Sequence, residues 1–197
     1  FITFIIFFFT ISTNKVFDKI PMDNNTMRLF GYYLAEGHVT KQKDRFNSWT
    51  LGLTFNKKET NLVDDAVKIL RDNFGVKPSI NQNTKNNTIQ ITVSSSILCM
   101  LFKKLFGGNC YEKHVPSEFL SLPDGKAKEL LNGWFLGDGC KSEQRVETAS
   151  KNLYEQMKFL YLRLGVQISA FKRYSQEGSP LYVINIPKKT KLKSAFS

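Results

Sequence analysis

The sequence predicts an α+β fold made of two successive αββαββα units. Three observations carry this: a nine-residue segment that recurs about a hundred positions later, a helical pattern that recurs behind it, and two-residue alternation in the stretches between. The first recurrence sets Leu29-Phe30-Gly31-Tyr32-Tyr33-Leu34-Ala35-Glu36-Gly37 against Leu131-Asn132-Gly133-Trp134-Phe135-Leu136-Gly137-Asp138-Gly139 at an offset of 102. Leu, Gly, Leu and Gly are identical, two aromatics face two aromatics, and an acid faces an acid. The second sets Val63, Val67, Leu70, Phe74, Gly75 and Val76 against Leu153, Met157, Leu160, Leu164, Gly165 and Val166 at an offset of 90. Apolar residues at i, i+4, i+7 and i+11 trace one face of a helix, which the Gly then ends.

The elements follow in order. Residues 1–24 form an extension whose start, Phe1 to Ser12, is almost wholly apolar. It is too short to span a bilayer and has no basic flank or cleavage site of a secretory signal, so we expect a buried strand or a remnant of a neighbouring domain rather than a membrane segment. The first repeat covers residues 25–112. A helix runs from about Asn25 to Ala35, followed by a polar hairpin. In the second strand Trp49, Leu51, Leu53 and Phe55 form one face and Thr50, Gly52, Thr54 and Asn56 the other. A helix over 59–74 precedes two strands joined by Thr84-Lys85-Asn86-Asn87, in the second of which Ile89, Ile91 and Val93 alternate with Thr88, Gln90 and Thr92. A helix near 95–106 closes the unit. Residues 113–125, with Pro116 and Pro123, read as a linker. The second repeat, 126–197, is expected to hold short strands at 141–149, a helix at 150–164 and strands at 166–174 and 181–186. Its last helix is short or missing.

The chain has 197 residues with 28 Lys and Arg against 17 Asp and Glu, a net charge of +11. That balance excludes an acidic calcium buffer and favours an anionic partner, with nucleic acid ahead of a membrane surface. The excess lies towards the end, where residues 141–197 carry 11 basic and 4 acidic side chains. Cys99, Cys110 and Cys140 lack metal-ligand spacing and His38 and His114 are the only histidines, so a zinc site is not expected. The thiols read as reduced, in an intracellular and not a secreted protein, whether cytoplasmic at the nucleoid or organellar.

Glu36 and Asp138 each fall on the last turn of a helix, where orphan carbonyls make an acid unfavourable by ~0.3–1 kcal/mol. Gly31 and Gly133 lie five residues earlier in helix interiors, where Gly costs ~1 kcal/mol against Ala. Glycines there suggest close backbone approach, so the two helices should pack on each other about a pseudo-twofold axis. Their carboxylates would then converge, which is tolerable with a cation between them. An oxygen-only site open to water suits Mg²⁺.

The two motifs, LFGYYLAEG and LNGWFLGDG, resemble those of monomeric LAGLIDADG homing endonucleases, of the type found in inteins and archaeal introns. The resemblance spans about residues 20–190. It implies a saddle of two antiparallel four-stranded sheets astride double-stranded DNA, with the motif helices at the interface and both strands cut. It implies a monomer that binds no small-molecule substrate and no membrane. Glu36 and Asp138 would bind catalytic Mg²⁺ (Mn²⁺ as an alternative), helped by main-chain carbonyls of Ala35 and Gly137. Lys113 matches the basic residue that members carry before the second motif, and would polarise the attacking water or stabilise phosphorane charge; the bland alternative is a solvated loop lysine. For DNA contact we nominate Thr40, Lys41, Gln42, Lys43, Arg45, Thr50, Asn56, Thr88, Gln90 and Thr92 in the first repeat. In the second we nominate Lys141, Gln144, Arg145, Gln167, Ser169, Lys172 and Arg173. These neutral hydrogen-bonding groups mixed with cations suit base-edge readout and phosphate contact. The same fold used only for binding, as an RNA-splicing maturase or a non-cleaving DNA-binding protein, stays open. Phe1 is not the Cys or Ser of an intein start and no His-Asn closes the chain, so self-splicing is not expected.

Overall fold

The structure, a computed structural model, describes residues 19–41, 48–140 and 142–187. Helix α1 (Asn24–Glu36) starts at Asp23, whose carboxylate accepts from Thr26 N–H at 2.8 Å, satisfying one orphan donor of the first turn. It runs directly into β1 (Gly37–Lys41), followed by β2 (Trp49–Asn56), α2 (Thr60–Phe74), β3 (Ser79–Asn83), β4 (Thr88–Val93) and α3 (Ser96–Phe106). A 3₁₀ turn (Ser117–Ser121) leads to α4 (Asp124–Asp138), β5 (Gly139–Cys140), β6 (Arg145–Thr148), α5 (Lys151–Arg163), β7 (Ser169–Tyr174) and β8 (Pro180–Asn185). The strands form two antiparallel four-stranded sheets, ordered β1-β2-β4-β3 and β5-β6-β8-β7, so the second sheet repeats the first element for element. The fold is α+β, as expected. α4 starts two residues earlier than the sequence suggests, and β5 shrinks to two residues. The expected final helix falls on residues outside those described, as does the apolar start of the chain.

α1 and α4 lie against each other along their small residues. A Cβ added at Gly31 would fall 2.4 Å from the Leu130 carbonyl oxygen and 2.5 Å from Trp134 N. At Gly133 it would fall 2.1 Å from the Arg28 carbonyl oxygen. Backbone therefore touches backbone in both directions, the arrangement that small residues permit. Around this seam sits one continuous core. Phe30 packs edge-to-face on Phe102 at 5.6 Å and also meets Phe74, Phe106 and Phe119, while Trp134, Tyr32 and Tyr33 are fully buried. Arg28 fastens three helices. Its guanidinium makes a two-pronged pair with Asp65 of α2 (2.8 and 2.9 Å) and a third bond to Glu129 of α4 at 3.0 Å; Tyr32 donates to Asp65 at 2.9 Å.

In the first sheet Leu51, Leu53, Phe55, Ile89, Ile91 and Val93 face the helices and are buried. The other face is free of helices. That alternation is what sets apart the two faces discussed below.

Candidate metal and nucleic-acid site

Because α1 and α4 run side by side, their last residues arrive together. Gly37 and Gly139 do not form left-handed caps: both are extended (φ −85°, ψ 150° and φ −83°, ψ 129°), so each helix turns straight into a strand. A Cβ at Gly137 would lie 2.6 Å from the Ala35 Cβ and 3.4 Å from the Glu36 Cγ, which places the two acids at a shared helix end. Burial pushes the Glu36 carboxyl up to about 8, with repulsion from Asp138 and then Glu59 adding to it and Lys113 opposing. Burial likewise pushes Asp138 up to about 7, reinforced by Glu147 and opposed by Lys113. Glu36 is half-buried while Asp138 retains solvent exposure, and in both the neighbouring acids disfavour the charged form.

Lys113 is the cation between them, and it is no solvated loop lysine: it is 2% exposed. Its ammonium lies 3.5 Å from the centroid of the Tyr33 ring and donates to the Tyr33 carbonyl in the last turn of α1. Burial pulls it down to about 7, against the attraction of Asp138, Cys110 and Glu36. The second repeat fixes its backbone. Ser150, the cap of α5, donates its hydroxyl to the Lys113 carbonyl at 2.6 Å while accepting from Leu153 N–H at 3.2 Å. Gln156 makes paired 2.8 Å bonds to Val115 N–H and C=O.

The donor chemistry fits a hard divalent cation. Among the described residues no group of three or more His, Cys, Asp or Glu is placed to hold a metal, so a zinc-type cage is not formed. Ala35 and Gly137 lie in last turns, where helix carbonyls have no partner one turn ahead; the Val39 N–H, four residues beyond Ala35, donates to Gly108 instead at 3.1 Å. Two carboxylates with such carbonyls form an oxygen set suited to Mg²⁺-like ions.

The strand register decides which nominated residues share the helix-free faces. In the first sheet one row joins His38, Gly52, Thr92 and Ser79, another Thr54, Gln90 and Asn81, another Asn56, Thr88 and Asn83, and Thr40 pairs with Thr50. Thr40, Thr50, Asn56, Thr88, Gln90 and Thr92 are therefore brought onto one open face. Lys41 is not. It pairs with Trp49 on the helix side, where its ammonium and that of Lys103 from α3 lie 5.9 and 5.0 Å from the indole ring. In the second sheet the open-face rows are Arg145, Asn185 and Ser169, then Glu147, Val183 and Phe171, then Leu181 and Arg173. Lys172 belongs to the opposite face: it pairs with Tyr182, whose ring meets Tyr154 of α5 at 5.2 Å. Its phase along β7, one residue off Ser169 and Arg173, dictates this. Gln144 sits in the turn before β6 with φ 52° and accepts from Ile186 N–H at 2.8 Å, and Gln167 is exposed just ahead of β7. Gln42, Lys43, Arg45 and Lys141 lie outside the described residues.

The open faces also hold residues that sequence reading passed over. His38 lies so close to Gly52 that a Cβ there would be 2.5 Å from the imidazole, and burial together with Lys113 lowers its basicity. Thr54, Asn81 and Asn83 share the phase of the nominated positions, so alternation alone was signal enough. Glu147 was hidden. It is held by Arg145 at 2.9 Å and by Arg173, and it is near enough to raise Asp138.

The model of the LAGLIDADG-like domain family matches residues 23–107 and 126–195 of the chain. An uncharacterised protein of Methanocaldococcus jannaschii is 30% identical over 181 residues, covering 85% of this chain and 20% of its own. The large subunit of DNA polymerase II of Thermococcus kodakarensis is 35% identical over 142 residues, covering 69% of this chain and 7% of its own. The chain thus spans a fifth or less of these relatives. Among solved structures, I-DmoI in complex with DNA and Mn superposes with a TM-score of 0.68 at 18% identity, covering 90% of this chain and 98% of that one. I-DmoI is also known with DNA and Ca, and a variant of it in the presence of Mg. The homing endonuclease I-WcaI bound to its DNA recognition sequence gives 0.53 at 14% identity, covering 90% of this chain and 80% of that one. The fold is that of LAGLIDADG homing endonucleases, and the chain belongs to the LAGLIDADG-like domain family.

Proposed function

We propose that this chain is a site-specific, Mg²⁺-dependent endonuclease that hydrolyses phosphodiester bonds on both strands of a long duplex DNA target. The observation that carries this reading is the meeting of two carboxyls, half-buried Glu36 and more exposed Asp138, with buried Lys113 at the shared end of α1 and α4. A chain that retained this fold only for binding would have no reason to keep two acids at the shared helix end beside a buried lysine. Glu36 and Asp138, with the Ala35 and Gly137 carbonyls, would hold divalent ions, which supply charge neutralisation at the scissile phosphate and an acidified water. Lys113, held by Tyr33 and unable to swing away, places a proton donor beside that centre. The open faces supply hydroxyl and amide groups at base-edge height in the first repeat, and guanidinium and carboxylate groups in the second. Both halves of the site come from one chain, which supports a monomer as the active species. Its small share of the polymerases it resembles supports a module carried within a larger host protein, as in an intein or intron product.

The test is selection of bound duplexes from a randomised library, followed by incubation of the bound pool with Mg²⁺. Linear product with defined ends, lost on chelation, is expected. A chain that binds a duplex but leaves it intact at every Mg²⁺ and Mn²⁺ concentration, or that prefers intron RNA, would contradict the proposal.

A further inference from the structure

We propose that Phe171 is a specificity-determining residue that reads thymine, through contact of its ring with the C5-methyl group in the half-site under the second repeat. The inference rests on the duplex-DNA reading above and adds to it a base and a side chain.

Seven large apolar side chains stand exposed among the described residues, and Phe171, at 43%, is the one on a helix-free sheet face. Ile80 pairs with Ile91 on the helix side of its sheet, and Tyr174 shares the phase of Lys172 and Tyr182. Met100 lies on α3, Phe159 and Leu162 on α5, and Tyr111 in the turn after α3. A single exposed apolar residue needs no explanation of its own. The setting of Phe171 gives it one. In its row it neighbours Val183, which is fully buried although it lies on the open face, and beyond Val183 comes Glu147. Arg145 and Arg173, which share this face, both pair with Glu147, so a carboxylate holds each of them. The result is one exposed ring beside a buried valine, rimmed by a fixed cluster of charges.

Its position is equally specific. Gly139 pairs with Val146, so Glu147 lies across from Asp138 and the row that carries Phe171 begins beside the acid of α4. Among the described residues the first sheet offers nothing comparable. Its corresponding face is Thr, Asn, Gln, Ser, Gly and His, all suited to hydrogen bonds. Among the four bases only thymine presents a methyl group in the major groove, and an apolar side chain is the group that distinguishes it. The second half-site is thus read by a methyl contact in addition to the hydrogen-bonding groups that both faces offer.

The test uses the whole chain in Ca²⁺, with duplexes selected from a random library by wild type and by Phe171→Ala, Phe171→Leu and Tyr174→Ala. Wild type is expected to prefer thymine at one or two positions confined to one half of its site. Phe171→Ala loses that preference, whereas Phe171→Leu and the opposite-face variant Tyr174→Ala keep it. Replacing those thymines by deoxyuridine removes only the methyl groups. This should weaken wild-type binding about fourfold per methyl and leave Phe171→Ala unaffected. Equal deoxyuridine sensitivity in wild type and Phe171→Ala, or no thymine preference in a duplex that is otherwise bound selectively, would overturn the inference while the DNA reading stands. Recovery of no duplex at all would overturn the DNA reading and this inference with it.

Discussion

At the scale of single residues, the site is expensive for the metal-free fold. Unfolded, Glu36 and Asp138 release their protons near 4.5 and 3.8; folded, they hold them to about 8 and about 7. Over that window the folded state binds more protons, so stability falls as pH rises from about 4 to about 8. Lys113 acts in the other direction. It releases its proton at about 7 when folded and 10.5 when unfolded, so between those values its contribution to stability rises with pH. Thermal unfolding in EDTA should therefore show a minimum in Tm close to pH 7–8. Glu36→Gln should raise Tm there by roughly 2–6 °C, on the scale of one or two kcal/mol for a chain of this size, and Asp138→Asn, at a more exposed carboxyl screened by water, by less. Added Mg²⁺ should stabilise wild type but not the variants. A Tm profile without the minimum, or variants less stable than wild type, would show that the acids are structural.

At the scale of elements, the seam between α1 and α4 sets where the acids meet. Gly133→Ala would gain ~1 kcal/mol of helix propensity, yet its Cβ would fall 2.1 Å from a backbone oxygen that cannot rotate away. We expect a net loss of about 1–3 kcal/mol in urea unfolding. Gly125→Ala, with open space around it, should be neutral or slightly stabilising. Equal effects of the two substitutions would refute the close-packed seam. This seam was legible from the sequence, because Gly in a helix interior is costly without a neighbour and here it recurs at the same place twice. The strands were legible too, since Leu51, Leu53 and Phe55 alternate. What escaped was phase and long-range placement. Lys41 is nominated for DNA contact among the cations mixed with the neutral strand positions, but β1 begins at Gly37 and that count sends Lys41 to the helix side beside Trp49. Lys113 read equally well as a loop lysine, since its burial depends on Tyr33, eighty residues earlier. Glu147 neighbours Arg145 on the same strand, but it joins Arg173 only through the β6-β8-β7 order, which no local pattern shows.

At the scale of the whole molecule, the duplication has produced two halves that share a fold and differ in surface. The first carries α3, the cluster of phenylalanines and a neutral open face; the second carries Arg145, Glu147 and Arg173 on its own. The acids differ as well, Glu36 in one half and Asp138 in the other, with one methylene between them in reach. The two strands should consequently be cut at unequal rates, and nicked duplex should accumulate before linear product. Equal rates would show that the ions, not the side chains, set the geometry. The most direct measurement of the central claim is strand-resolved, single-turnover cleavage of a selected duplex in Mg²⁺ by wild type, Glu36→Gln and Asp138→Asn, with binding measured alongside in Ca²⁺. Wild type should sever both strands, and each variant should lose double-strand cleavage by a factor of at least about a hundred while its affinity changes by less than about tenfold. Undiminished cleavage by either variant would contradict the account.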